Sequence, residues 1–193
     1  MVTAGLFGKL PAHGDFVTRG WSLDVVTRLD GWLTDGIAAL RANVGEDGFA
    51  HAMQSGPLWH CWLSLGAAAL HGVITPTVDS AGRLFLLVAG VTGGRSDIWA
   101  IASQQPAFAG AAEAAVYDAL GAALDADGLA LRLAEAIPPV DGVGRFLADL
   151  SLPAASAFWV ANPAAGPPVA LPGEALDAGT VARLVMGAFR DAP

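Results

Sequence analysis

The sequence predicts an α/β fold with a mixed, largely antiparallel sheet and helices packed on both of its faces. Three observations carry that prediction. Apolar residues from Leu23 onward recur at helical spacing, and two apolar runs flank a turn so short that their strands must pair antiparallel. The elements also follow the order strand, long helix, strands, helices, strand, helix. Strands and helices do not alternate regularly, which argues against a dinucleotide-binding arrangement.

Residues 2–9 form the first expected strand, ended by Pro11 and Gly14, with Pro11 biasing Leu10 towards extended backbone. The stripe Leu23, Val26, Leu29, Leu33, Ile37, Leu40 and Val44 steps by three and four, so it lies on one face of a helix. Ser22 suits its N-cap, Asp24 its positive end and Gly45 its stop. Gly31 and Gly36 are expected to weaken that helix by up to ~1 kcal/mol each.

A shorter helix is expected at 47–54, followed by a buried strand at 58–65 rich in tryptophan and leucine. Strands at 72–77 and 83–91 flank a turn at 78–82. Alanine-rich helices are predicted at 96–103 and 107–124. Another is predicted at 127–136, stopped by Pro138 and Pro139, with a further turn or two at 143–150. A short strand at 158–160, a Pro/Gly/Ala-rich loop at 162–173 and a terminal helix at 177–189 complete the chain.

The 193 residues fall within the range of one domain, so 1–193 is expected to fold as a single unit. Hydrophobic residues make up 54% and charged residues 15%, the reverse of the balance that keeps a chain disordered. The formal charge of −8 repels phosphates and anionic lipid heads, which disfavours nucleic acid and membrane surfaces as partners. The N-terminus has no basic start followed by an apolar core, and the longest strongly apolar run, 84–91, is far short of the ~20 residues that span a bilayer. Cys61, alone of its kind, sits among Trp59, Trp62 and Leu63 and is expected to be a small buried hydrophobe. A cytoplasmic location fits these observations.

The most informative stretch, 5–19, reads GLFGKLPAHGDFVTR. Its Gly8-Lys9 pair suggests a phosphate-binding loop, but that loop requires a glycine five residues earlier and Ser or Thr next. Those positions hold Thr3 and Leu10, and Pro11 opposes the helix whose N-terminus would hold the phosphate. His13, His51, His60 and His71 show no metal-ligand spacing, and His60 and Cys61 point to opposite faces of a strand. No Gly-x-Ser-x-Gly elbow accompanies His13 and Asp15, and no carboxylate pair suits acid–base work. No cofactor is therefore expected.

Asp15 is expected to accept backbone N–H bonds or to pair with Arg19 or Arg83. In the second turn Asp79 stands at the head and Gly82 near the end, while Arg83 is too costly to bury unpaired. An ion pair between Arg83 and the Gly14-Asp15 turn would bring the two segments together. The residues leave two roles open for 5–19: an interface, or an internal scaffold. An enzymatic alternative is a small hydrolase or phosphoryl-binding domain using Lys9, His13, Asp15 and Arg83.

Gly5, Phe7, Gly8, Lys9, Leu10, Pro11, Gly14, Asp15, Phe16, Val17 and Arg19 match the opening pattern of the TagF family of type VI secretion-associated proteins. Pro76, Val78, Asp79, Gly82, Arg83, Phe85 and Leu87 match its second signature, and Trp32-Leu33, Pro57-Leu58-Trp59 and Phe158-Trp159 fit as well. The chain resembles that family over most of its length, most strongly over 5–87. Thr77 stands for the usual serine, Leu86 for a proline, and Gly20-Trp21 for a Leu-Pro or similar pair, so Trp21 is expected to alter a contact surface.

The resemblance implies a three-layer α/β/α sandwich and a non-catalytic, cytoplasmic accessory protein that restrains a type VI secretion system after its parts are made. The implied partner is a forkhead-associated-domain scaffold protein; aromatic anchors for it can come from the six tryptophans, although most of these are expected in the core. Some relatives carry a fused phosphatase domain, an activity not expected of this chain.

Overall fold

The computed structural model describes residues 1–160, 169–170 and 176–187. Among the described residues seven strands form one sheet: β1 (Thr3–Gly8), β2 (Val17–Arg19), β3 (Trp59–Leu65), β4 (Ala68–Val78), β5 (Leu84–Gly94), β6 (Ala157–Trp159) and β7 (Val169–Ala170). Their order is β2-β1-β5-β4-β3-β6-β7. Each described pairing is antiparallel. The two tight connections at the centre enforce this, because a hairpin reverses the chain. β3 and β4 meet with Leu65 opposite Ala68, and β4 and β5 pair from Ala68↔Gly94 to Val78↔Leu84.

The central strands are apolar on both faces, so the sheet needs cover on both sides. Cys61, Leu63, Leu70, Ile74, Phe85 and Val88 face α1 (Leu23–Ser55) and α6 (Ala178–Met186). Leu6, Trp62, Val73, Leu87, Ala89 and Val91 face α2 (Arg95–Gln104), α3 (Pro106–Leu120) and α4 (Ala126–Glu135). α5 (Gly142–Leu150) packs beside α2. The expected three-layer α/β/α sandwich is the observed architecture. Among the described residues, no helix is long and apolar enough to cross a membrane.

Most elements lie where periodicity put them, with instructive shifts. Ser22 caps α1 as expected, accepting from the Val25 N–H, and the helical run is broken at Gly45, where φ is 72° and ψ 176°. The buried stripe starts at Val25 rather than Leu23, which is exposed, and it includes Trp32. The expected helix 107–124 overruns, because alanine spacing reads as helix past the true end. α3 stops at Leu120, and Ala122 takes a positive φ of 59°. The expected turn or two at 143–150 is a full helix, with the Asp141 carboxylate accepting from the Gly144 N–H at 2.7 Å. β2 was not anticipated, since three residues carry no legible period. The expected loop 162–173, apart from 169–170, and the end of the expected last helix, 188–189, lie outside the described residues.

Gly36 shows why propensity alone misleads. A Cβ there would lie 2.3 Å from Val181 Cβ and 2.4 Å from its Cγ2, so this glycine lets α1 and α6 approach closely. Gly31 meets nothing within 4 Å. Gly31→Ala is therefore expected to stabilise the protein by roughly 0.5–1 kcal/mol through helix propensity. Gly36→Ala should destabilise it by about 1–2 kcal/mol, the overpacking cost exceeding the same propensity gain. Paired urea denaturation curves check both signs.

Candidate functional site

The stretch 5–19 folds as β1, a loop and β2, and the loop is where its chemistry converges. At Gly8 the backbone turns with φ 138°, and a Cβ would sit 2.1 Å from the Leu86 carbonyl oxygen. Only glycine fits both the dihedral and the approach. Lys9 follows, and its ammonium lies 2.6 Å from the Asp79 carboxylate with both residues buried. Asp79 Oδ1 accepts the Ala81 and Arg83 N–H groups at 3.0 and 2.9 Å, while Oδ2 accepts Lys9 Nζ and, at 2.8 Å, Arg83 Nε.

An ionised carboxylate tolerates burial only when paired and hydrogen-bonded, and this one has four donors, two of them on cations. Burial pushes the Asp79 carboxyl up. Hydrogen bonds from Lys9 and from the Arg83 backbone and side chain, together with the Lys9 charge, outweigh it and hold the group well below the usual carboxylate range.

The two loops are also joined through their backbones. The Ser80 N–H donates to the His13 carbonyl at 2.9 Å, and the Arg83 guanidinium donates to the Gly14 carbonyl. His13 Nε2 accepts the Ala126 N–H at 3.1 Å, and Arg19 Nε lies 2.6 Å from Asp127 Oδ1, both at the start of α4. The expected link between Arg83 and the Gly14-Asp15 turn is present, made chiefly through the Gly14 carbonyl and only loosely through the Asp15 carboxylate. Arg83 Nη2 is 3.9 Å from Asp15 Oδ1, both side chains are exposed, and Asp15 Oδ1 accepts the Phe16 N–H at 2.8 Å. Arg19 pairs with Asp127 and not with Asp15. The decisive partners, Lys9 and Asp79, lie 70 residues apart and no sequence signal joined them.

Lys9 and Arg83 meet on the same Asp79 oxygen and Arg83 reaches Asp15, whereas the His13 ring turns to α4. Lys9 lines an open groove of about 380 Å³ with Phe16, Thr34, Ile37, Ala38, Arg41, Leu84 and Phe85, and His13, Asp15 and Arg83 do not border it. Phe16 is 46% exposed yet firmly held. Its ring stacks on Phe7 at 5.9 Å, meets Phe85 edge-on at 4.7 Å, and lies 5.0 Å beneath Lys9 Nζ. Most tryptophans belong to the core, as expected: Trp21, Trp32, Trp59 and Trp62 are buried, and Trp99 and Trp159 are half-buried. Trp21 packs in the core beside α1 and also lines an open pocket with Thr3, Gly20 and Ser22.

A second polar cluster lies inside the α2–α4 layer. The rings of His60 and His71 both stack on Trp159, at 5.9 and 5.7 Å. His60 Nε2 meets Glu113 Oε2 at 2.8 Å, and His71 Nδ1 donates to the Cys61 carbonyl at 3.0 Å. Among the described residues His60 Nδ1 and His71 Nε2 have no hydrogen-bond partner. Burial lowers the His71 pKa to about 4; the bond to Cys61 opposes this, and the His60 charge adds to it. Cys61 is buried on the other face, its thiol pushed up to about 12 by burial against a small opposing effect of a backbone bond to Gly72. Among the described residues no group of three or more His, Cys, Asp or Glu is placed to hold a metal ion.

A family model described as the TagF N-terminal domain, type VI secretion system-associated, matches residues 5–136. The crystal structure of PA0076 from Pseudomonas aeruginosa PAO1 is similar, with a TM-score of 0.79 and 24% identity over 98% of this chain and 97% of that one. This second likeness concerns the fold. A comparison with curated proteins finds no match.

Lys9→Met should lower Tm by on the order of 10 °C, because it removes one of the two cations that compensate a buried carboxylate. Asp15→Asn should leave Tm within about 2 °C. The folded pKa of Asp79 is depressed, so its contribution is complete above the ordinary carboxylate range and fades as pH falls below it. Thermal melts from pH 7 to pH 3 check this; the acid-induced loss should shrink in Asp79→Asn.

His71 titrates at about 4 in the folded protein against the ordinary histidine value of 6.5, so the unfolded chain binds more protons between those pH values. Its contribution is complete above pH 6.5 and falls on acidification, by about 2 kcal/mol between pH 7 and 5. His71→Asn, whose amide supplies the donor to Cys61, should remove that share of the slope in urea titrations.

Proposed function

The chain belongs to the TagF N-terminal domain family, which is type VI secretion system-associated, and from that premise we propose that it is a non-catalytic repressor acting by protein binding. Its partner on this reading is a forkhead-associated-domain scaffold of the secretion apparatus, engaged in the cytoplasm after the components are made. The accessory role rests on the family; the partner and the repression are the proposal.

One observation supports binding over chemistry. Of the groups in 5–19 that resemble a reactive set, all but the exposed Asp15 are consumed internally. Lys9 is buried on Asp79, His13 Nε2 is occupied by the α4 backbone, and Arg19 is held by Asp127. Besides Asp15, what the segment offers outward is Phe16, fixed by Phe7 and Phe85 at the rim of the 380 Å³ groove. A rigid aromatic beside an apolar-walled groove is the form of an interface hot spot, because little side-chain freedom remains to be lost on binding. Lys9, Asp79, Gly82 and Arg83 then act as the frame of the site, and Phe16 with Ile37, Leu84 and Phe85 as its contact face.

The reading is tested by co-purification from a host carrying a type VI system. The wild-type chain should retain the scaffold protein, and Phe16→Ala should reduce the recovered scaffold at least about tenfold while Tm changes little. Undiminished recovery with Phe16→Ala would remove this face from the interface. Absence of the scaffold from wild-type samples would sink the partner assignment.

A further inference from the structure

α5 carries an apolar stripe turned towards solvent. Val143, Phe146, Leu147 and Leu150 fall at i, i+3, i+4 and i+7, the pattern of a core-facing helix. They are 66, 60, 49 and 70% exposed, and Ala148 is the buried residue of the helix. Side chains of these sizes leave about 400 Å² of apolar surface, the size of the largest patch on a typical monomer, which is often functional.

The same patch contains a cavity. Val143, Gly144 and Leu147 line a groove of about 240 Å³ together with Ala100, Pro139 and Val140, and its polar rim is formed by Gln104, Gln105 and Asp141. That volume accommodates one aromatic side chain, and Phe146 projects from the other flank of the stripe. A two-fold interface places the same surface on both partners, so it requires a patch that holds both a projection and its receptacle. This patch holds both.

Charge points the same way. Arg145 is paired with Asp97, Asp149 with the Ser96 hydroxyl, and the Asp141 carboxylate caps α5. The charges bordering the stripe are satisfied within the chain, so an identical face meets no unpaired charge, while a strongly charged partner gains little here.

We propose that this face is a homodimer interface, in which Phe146 of each copy seats in the groove between α2 and α5 of the other. By helix periodicity Phe146 and Gly144 lie on opposite flanks of the stripe, about 160° apart. A two-fold axis running along the helices brings each Phe146 flank onto the partner's groove flank, so the two α5 helices run side by side in the same direction. The paired stripes bury roughly 800 Å², below a standard interface, so the dimer is a weak one that forms only at high protein concentration. Two copies of net charge −8 repel each other, so association should tighten as salt screens that repulsion.

This inference is independent of the scaffold reading, which concerns Phe16 on the other side of the sheet. Sedimentation equilibrium of the purified chain from about 5 to about 500 μM, at low and high salt, tests it. A concentration-dependent dimer, stronger at high salt, that Phe146→Glu weakens at least about 30-fold is the expected result. Leu150→Lys should act likewise, and Leu23→Glu, on an exposed apolar residue at the start of α1, should not. A monomer throughout that range overturns the proposal. So does a dimer unaffected by both α5 variants, or one that dissociates as salt is raised. Stable capture of a different protein on the α5 face, without self-association, would assign the patch to that partner instead.

Discussion

A carboxylate removed from water dictates the geometry around it. Asp79 is buried in a turn between the two longest strands, and its four acceptor positions are met by donors from three places: the turn's own backbone, Arg83, and Lys9 on the far side of β5. None can be withdrawn cheaply, since an unpaired buried charge costs far more than a paired one. The β4–β5 hairpin and the loop after β1 are therefore held in one register. Gly8 and the bonds from Ser80 and Arg83 to the first loop follow from that closeness.

The sheet is the second constraint. Its central strands alternate between two apolar faces, and each face recruits its own layer: the long α1 with α6, and the shorter α2 to α4. The layers differ in how they fill space. α1 and α6 touch through a glycine against a valine, whereas the other layer is built of alanine, leucine and a stack of two histidines on Trp159. Small residues let helices lie close to the sheet, which is why an alanine-rich sequence of little apparent information is densely packed.

A rigid frame has a use in recognition. Phe16 is held by two rings and lies beneath an ammonium fixed to Asp79, so stability and presentation of the aromatic depend on one network. The α5 stripe, by contrast, stands on a helix whose charges are settled within the chain. On the proposed readings the two surfaces serve different partners from opposite sides of the sheet, and the acidic surface elsewhere favours solubility over adhesion.

Much of the fold was legible because it rests on periodicity and local chemistry. The stripe from Leu29 to Leu40, the Ser22 cap, the stop at Gly45 and the hairpin around Asp79 each depend on neighbours within a few residues, and the chain spells these out. The family was legible by another route, because residues in 5–19 and 76–87 match its signature patterns and a family model matches 5–136. What the tertiary structure alone decided was partnership across distance. It paired Lys9 with Asp79 and Arg19 with Asp127, buried Trp21, and turned α5 outward instead of inward. A side chain's charge and shape are written in the sequence, but which group satisfies it, and whether an apolar face meets core or solvent, depends on how the chain brings remote segments together.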